Sequence, residues 1–207
     1  IAMIFVDSAG ENVIAILPGA NGAMTPDDAE MALKEQRGGV LLVQQEIPQA
    51  ATERALDLAR AQGMTTILNT APFLDTTPAI ASRADIVIAN ETEFALLSGT
   101  DEDQLDTAMA DWARTRRQTI IVTLGAEGAR AVTAEGKAIA VPAMPVKPVD
   151  TVGAGDTFCG YLAAGLDGGL TLEDAMKRAA IAASLACLKP GAQPAIPLAE
   201  AVERAMR

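Results

Sequence analysis

The chain has 207 residues, half of them hydrophobic, with two cysteines, no histidine and a formal net charge of -11. Such a chain has the length and apolar content for one α/β domain with a core of its own, not for a disordered protein. An acidic balance with no clustered Lys/Arg face argues against a nucleic-acid surface, and the missing histidine removes Ser-His-Asp, Cys-His and His-ligated metal chemistry.

Ile1 to Val6 and Val13 to Leu17 are β-rich and flank Asp7-Ser8-Ala9-Gly10, which has turn chemistry, so the chain opens on a hairpin. Both of its faces are apolar, which suits core, a lid or a dimer contact. No signal-peptide pattern precedes it and no run is long and uncharged enough to span a bilayer. The expectation is a cytoplasmic protein with no membrane partner.

Thr25-Pro26-Asp27-Asp28 starts a helix, with a capping hydroxyl, proline at the first helical position and acid in the first turn. Val40 to Gln44 is a continuous apolar run, as expected of a parallel strand buried on both faces. A helix from Pro48 to Gln62 stops at Gly63, and Thr66 to Leu68 is the next strand. Strand Asp85 to Ala89, helices Glu91 to Leu97 and Leu105 to Arg116, and strand Thr119 to Leu124 continue the alternation. This pattern predicts an α/β fold with a mostly parallel, Rossmann-like sheet flanked by helices.

Polar residues gather where these strands end, the rim at which open α/β sheets bind ligands. They are Glu46, Asn69, Asn90 with Glu93, and Thr123 with Gly125. Each also has an ordinary structural explanation: a solvated loop charge for Glu46, a turn for Asn69, an N-cap and capping box for Asn90 and Glu93, a loop glycine for Gly125. The cysteines, Cys159 and Cys187, lie in apolar helical context and read as buried thiols.

The most informative stretch is Asp150-Thr151-Val152-Gly153-Ala154-Gly155-Asp156-Thr157-Phe158. It follows the extended, proline-punctuated run Ala138 to Val149 and precedes helical spacing at Phe158, Tyr161, Leu162 and Leu166. Two glycines where extended chain becomes helix expose the first free N–H groups of that helix, a cradle for an anion and above all a phosphate. Asp156 lies within the cradle. It can cap the helix, but beside a phosphate a second anion is tolerated best where it orients a hydroxyl nucleophile. An alanine-rich helix then runs from Thr171 to about Leu188, and Lys189-Pro190-Gly191-Ala192-Gln193-Pro194 breaks it before a last helix, Leu198 to Met206.

At the Asp150 to Phe158 motif the sequence resembles the ribokinase-like, or PfkB, family of carbohydrate kinases. The resemblance implies an ATP-dependent kinase of a sugar hydroxyl, D-ribose foremost, with Gly153, Ala154 and Gly155 stabilising the transferred phosphoryl group and Asp156 as catalytic base. Asn90-Glu91-Thr92-Glu93 is similar to the family's Asn-x-x-Glu motif near the nucleotide phosphates and magnesium, which implies an indirect Mg²⁺ role for Glu93. Thr123, Gly125 and Gly128 then belong to the nucleotide side with Asn90 and Gly155. Glu46 matches a sugar-binding glutamate, and Ala2, Ile4 and Ile16 of the hairpin would face the sugar as a lid.

By the same resemblance, backbone carbonyls of Asp150, Val152, Ala186, Lys189 and Gly191 form a site for a monovalent cation such as K⁺. Carbonyl oxygens suit a large, weakly hydrated ion. Ala195 stands where a hydroxyl or thiol ligand is expected, Ala180 where an adenine-side polar residue can occur, and Tyr161 is bulkier than the small residue expected. The family has further residues before the lid strands, so residues 1–20 read as part of a β lid and 21–207 as a kinase domain lacking an N-terminal segment. Homodimerisation through the lid strands is implied. Two alternatives stay open: a different acceptor (fructose, 2-keto-3-deoxygluconate or a nucleoside), or a non-catalytic assembly partner that uses the hairpin.

Overall fold

The computed structural model describes residues 2–6 and 12–207, with the side chains of most of 2–6, of 12–16 and of Glu102 left out of the description. Strands β1 (Ala2–Val6) and β2 (Asn12–Ile16) pair antiparallel with Ala2 opposite Ile16 and Ile4 opposite Ile14. The predicted turn at Asp7 to Gly10 lies outside the described residues, as do the side chains of Ala2, Ile4 and Ile16 expected to face a sugar.

A six-stranded sheet follows, made of β3 (Val40–Val43), β4 (Thr65–Asn69), β5 (Ile86–Asn90), β6 (Thr119–Thr123), β7 (Ala129–Val132) and β8 (Ala138–Val141), in that spatial order. The first four are parallel; β7 and β8 each run antiparallel to the strand before. Side chains alternate across the sheet, as the two-residue period of a strand requires. Leu68, Val87, Ile120 and Val122 face helices α2 (Gln49–Ala61), α3 (Thr77–Ala81), α4 (Glu91–Ser98) and α5 (Leu105–Arg116). Ile67, Ile86, Ile88 and Ile121 face α6 (Ala154–Asp167) and α7 (Leu172–Ala186). Helix α1 (Pro26–Leu33) packs on α2, and α8 (Ala199–Ala205) closes the described chain.

Most element boundaries follow the predicted ones. Thr25 and Asp28 form the capping box of α1, and Gly63 ends the α2 region in a left-handed conformation at φ +73°. One expectation needs correction: Val40 to Val43 are each only half-buried, not buried on both faces. The reason is position, because β3 is the edge of the sheet: it pairs with β4 on one side and, among the described residues, with no strand on the other. Helix α3 and strand β7 were not anticipated. Cys159 is buried as expected, whereas Cys187 is half-buried at the C-cap of α7.

The topology decides where the motif goes. Strand β8 is antiparallel to β7, which is antiparallel to β6, so β8 ends on the same rim as the four parallel strands. The coil that leaves β8 therefore delivers Asp150 to Asp156 to the rim carrying Glu46, Asn69, Asn90 and Thr123. On its way the coil is anchored by the Met144 N–H, which donates to the buried Ser184 hydroxyl of α7 at 3.1 Å.

Candidate phosphoryl-transfer site

Gly153 is the N-cap of α6 and sits at φ +76°, where a side chain is strained. A Cβ here would also lie 3.0 Å from the Ala192 Cβ, so the motif and the loop after α7 touch at this glycine. Gly155 is different: its backbone is ordinary, and a Cβ would meet nothing within 4 Å. Its missing side chain leaves the mouth of the cradle open.

The free donors can be named. The Ala154 N–H is spent on the Thr151 carbonyl at 3.2 Å, closing the turn into the helix. The N–H groups of Gly153, Gly155 and Asp156 donate to nothing among the described residues, and α6 is long enough, at 14 residues, for its dipole to favour an anion there. Ala154 thus shapes the cradle through this turn. The Asp156 carboxylate is exposed at the same helix start.

Asn90 and Glu93 do form a reciprocal capping box on α4, with the Glu93 N–H donating to Asn90 Oδ1 at 2.7 Å and the Asn90 N–H donating to Glu93 Oε2 at 3.1 Å. That role does not exhaust Glu93. Its Oε1 has no partner among the described residues, and the side chain is half-buried on the rim. Cys159, one turn into α6, reports how the site is assembled. Burial pushes its thiol up to about 12, and the charges of Asp156 and then Glu93 push in the same direction. Carboxylates from α6 and from the start of α4 therefore both bear on this buried sulfur.

Asp150 ties the motif to the loop after α7. Its Oδ1 accepts the Val152 N–H at 3.0 Å and its Oδ2 the Gly191 N–H at 2.8 Å. Those bonds, Val152 first and Gly191 second, hold its carboxyl below the ordinary carboxylate range. The N–H groups of Val149 and Asp150 both donate to the Cys187 carbonyl. Of the five carbonyls expected to hold a monovalent ion, that of Ala186 accepts the Lys189 N–H at 3.3 Å. Those of Asp150, Val152, Lys189 and Gly191 accept no hydrogen bond among the described residues. Ala195 is buried and brings no ligand atom. Tyr161 has a task of its own: its hydroxyl donates to the Pro197 carbonyl at 2.6 Å, and Arg178 lies over its ring at 5.5 Å.

The remaining predicted residues are placed on the same rim with structural roles of their own. Glu46 is exposed, and its N–H donates to Gln44 Oε1. Asn69 Oδ1 accepts the Ala71 N–H at 3.3 Å, just before the cis Ala71–Pro72 bond. The Thr123 hydroxyl lies 3.5 Å from the Ala89 carbonyl, and Gly125 has φ +53°. Gly128 is fixed by packing, since a Cβ would fall 2.1 Å from the Val141 carbonyl oxygen. The sequence reading missed Gln45, Thr70 and Thr77, which are buried behind this rim. Gln45 and Thr70 signalled themselves only as polar residues just after strands and Thr77 only as a threonine at the start of α3, and Gln45 stands between two other polar residues that are not buried.

Three comparisons bear on this geometry. The profile described as pfkB family carbohydrate kinase matches residues 1–199. The chain is 36% identical over 208 residues to a ribokinase of Staphylococcus aureus, covering 98% of this chain and 68% of that protein. It is 33% identical over 205 residues to a deoxyribokinase of Salmonella typhi, covering 97% and 67%. The solved structure of Arabidopsis thaliana ribokinase complexed with ribose and ATP superposes with a TM-score of 0.86 at 29% identity, covering all of this chain and 68% of that one. Against the first curated relatives the chain spans from 38% to 68% of their length.

Proposed function

The chain belongs to the pfkB family of carbohydrate kinases, and we propose that it transfers the terminal phosphoryl group of ATP to a sugar hydroxyl, with D-ribose as the acceptor and ribose 5-phosphate and ADP as products. The observation that carries this reading is the pair of N–H groups of Gly155 and Asp156 at the start of α6, unpartnered among the described residues, with the Asp156 carboxylate beside them.

The N–H groups stabilise charge on the phosphoryl oxygens, and the helix dipole adds to them without reorganising during the reaction. Asp156 orients the attacking hydroxyl and takes its proton. A carboxylate is a weak base, yet a loose phosphoryl-transfer transition state lets the proton leave late, so positioning supplies much of the effect. Glu46 holds the acceptor with the hairpin residues Ala2, Ile4 and Ile16, while Asn90, Thr123, Gly125 and Gly128 line the nucleotide side. In this reading residues 1–20 act as lid and residues 21–207 as the kinase body.

Glu93 fits a magnesium ion shared with the nucleotide. One of its oxygens has no partner among the described residues, and nucleotide phosphates and water would complete the coordination of such an ion. Bound there, magnesium would neutralise phosphate charge. The four free carbonyls around Asp150 fit a monovalent cation such as K⁺, whose effect would be to firm the loop that Gly153 touches. Homodimerisation through the β1–β2 hairpin belongs to the same reading, and a monomer by light scattering at high protein concentration would remove it. No described helix is long and apolar enough to cross a membrane.

A substrate panel with the full-length enzyme, following ADP release and the phosphorylated product by NMR, tests the assignment. D-ribose is expected to give the highest kcat/KM. The likeness to a deoxyribokinase makes deoxyribose the competing acceptor. Deoxyribose or fructose ranking well above ribose would replace the acceptor; no turnover with any sugar would overturn the reading.

A further inference from the structure

Three buried polar side chains meet behind the rim, and the reaction as described uses none of them: Gln45 is 3% exposed, and Thr70 and Thr77 are fully buried. The Gln45 Nε2 lies 3.0 Å from the Thr70 carbonyl and 3.0 Å from the Pro72 carbonyl. Gln45 and Thr77 also meet directly, with the Thr77 hydroxyl 3.1 Å from Oε1 and accepting the Leu74 N–H at 2.8 Å. One proton assignment satisfies every group. Thr77 donates to Oε1, and the two amide hydrogens of Gln45 go to the carbonyls of Thr70 and Pro72, although Nε2 also lies 2.9 Å from the Thr77 hydroxyl, which takes no proton from it in this assignment.

This clamp fixes the backbone on which Thr70 stands. The Thr70 hydroxyl lies 2.8 Å from Glu93 Oε2 and 3.2 Å from the Ile88 carbonyl. A hydroxyl has one proton to give. The Ile88 carbonyl already accepts the Thr70 N–H at 2.9 Å, and a carboxylate is the stronger acceptor, so the proton goes to Glu93. Oε2 is then filled by two donors, Thr70 from the loop that leaves β4 and the Asn90 N–H from the end of β5, which leaves Oε1 as the oxygen available to a ligand.

We propose that Thr70, held by Gln45, is a positioning residue that fixes the Glu93 carboxylate for its magnesium-side role. A capping box alone holds Glu93 from its own helix, whereas a donor from the loop after the neighbouring strand fixes the plane of the carboxylate against rotation. Residues that orient a metal-side ligand in this way govern metal affinity more than the chemical step. The inference rests on the proposed role of Glu93.

The test is Thr70→Val in the full-length enzyme, which keeps the side chain's shape and removes only the hydroxyl. Binding of Mn²⁺ in the presence of ADP is read by electron paramagnetic resonance, alongside the Mg²⁺ dependence of turnover. Mn²⁺ affinity should fall about tenfold and half-saturating Mg²⁺ should rise to match, with a smaller change in kcat at saturating metal. Thr70→Ser should restore both. In a Glu93→Gln background Thr70→Val should add nothing, because its effect runs through the carboxylate. Thr70→Ala replaces the valine variant where that does not stay soluble. Wild-type Mn²⁺ binding in Thr70→Val, with Glu93→Gln weakened, would overturn the positioning role alone; no change in either variant would overturn it together with the role of Glu93.

Discussion

Asp150 and Gly191 lie 41 residues apart in sequence and are joined by one bond, Gly191 N–H to Asp150 Oδ2 at 2.8 Å. The same carboxylate holds the Val152 N–H, so a single side chain locks the phosphate motif to the loop after α7. Its charge is what both donors recognise, and that gives the lock a pH dependence. The folded carboxyl is held below its ordinary value of 3.8, so its contribution to stability is complete above that value and is lost as pH falls through the lower folded one. Asp150→Asn keeps one acceptor oxygen for two donors. Thermal unfolding of the two proteins from pH 7 to 3 should show a gap in Tm that is constant near neutrality and closes below about pH 4. A gap that does not change with pH would mean that the charge of Asp150 contributes nothing to the lock.

Asp156→Asn removes the proton acceptor but leaves the N–H cradle of α6 intact. We expect kcat to fall by about a hundredfold or more with little change in ATP affinity. Steady-state kinetics together with calorimetric titration of ATP separate the two, and near-normal turnover would remove Asp156 from the chemistry.

Gly153 and Gly155 separate folding from function. At Gly153 an alanine meets both a left-handed backbone and the Ala192 Cβ, so Gly153→Ala should destabilise the fold by about 1–3 kcal/mol. At Gly155 there is open space and an ordinary backbone, so Gly155→Ala should leave stability within about 0.5 kcal/mol while its methyl group obstructs the cradle and lowers kcat. Denaturant unfolding and turnover, measured on the same two variants, should rank them in opposite order.

Tyr161→Phe deletes the bond to the Pro197 carbonyl and keeps the ring under Arg178. The expected loss is about 1 kcal/mol of stability, the net worth of a typical hydrogen bond. Since that bond secures the exit of the loop after α7, the response to K⁺ should weaken in the same variant.

The monovalent ion has its own readout. Four free carbonyls keep the site available, and the buried Ala195 adds no oxygen, so K⁺ should activate over Na⁺ but saturate at a higher concentration in wild type than in Ala195→Ser. Turnover at fixed ionic strength, with tetramethylammonium in place of K⁺, isolates the specific effect from screening. Equal rates in the two salts would leave the loop as a turn.

By itself the sequence determined the local features, because each was encoded within a few residues. Short apolar runs alternating with helical spacing marked the parallel strands, Thr25-Pro26 and Asn90 to Glu93 marked helix starts, and Gly153 to Asp156 marked a helix N-terminus able to receive a phosphate. Only the tertiary structure decided what lay beside what. Strand β3 became an edge, and its apolar run stayed half-buried because no described strand pairs with its outer side. The antiparallel pair β7–β8 carried the motif to the rim where the parallel strands end. Gln45, Thr70 and Glu93 come from three different strand ends, and no periodicity links them in sequence. Their connection exists because parallel pairing sets those ends side by side, within reach of one hydrogen bond.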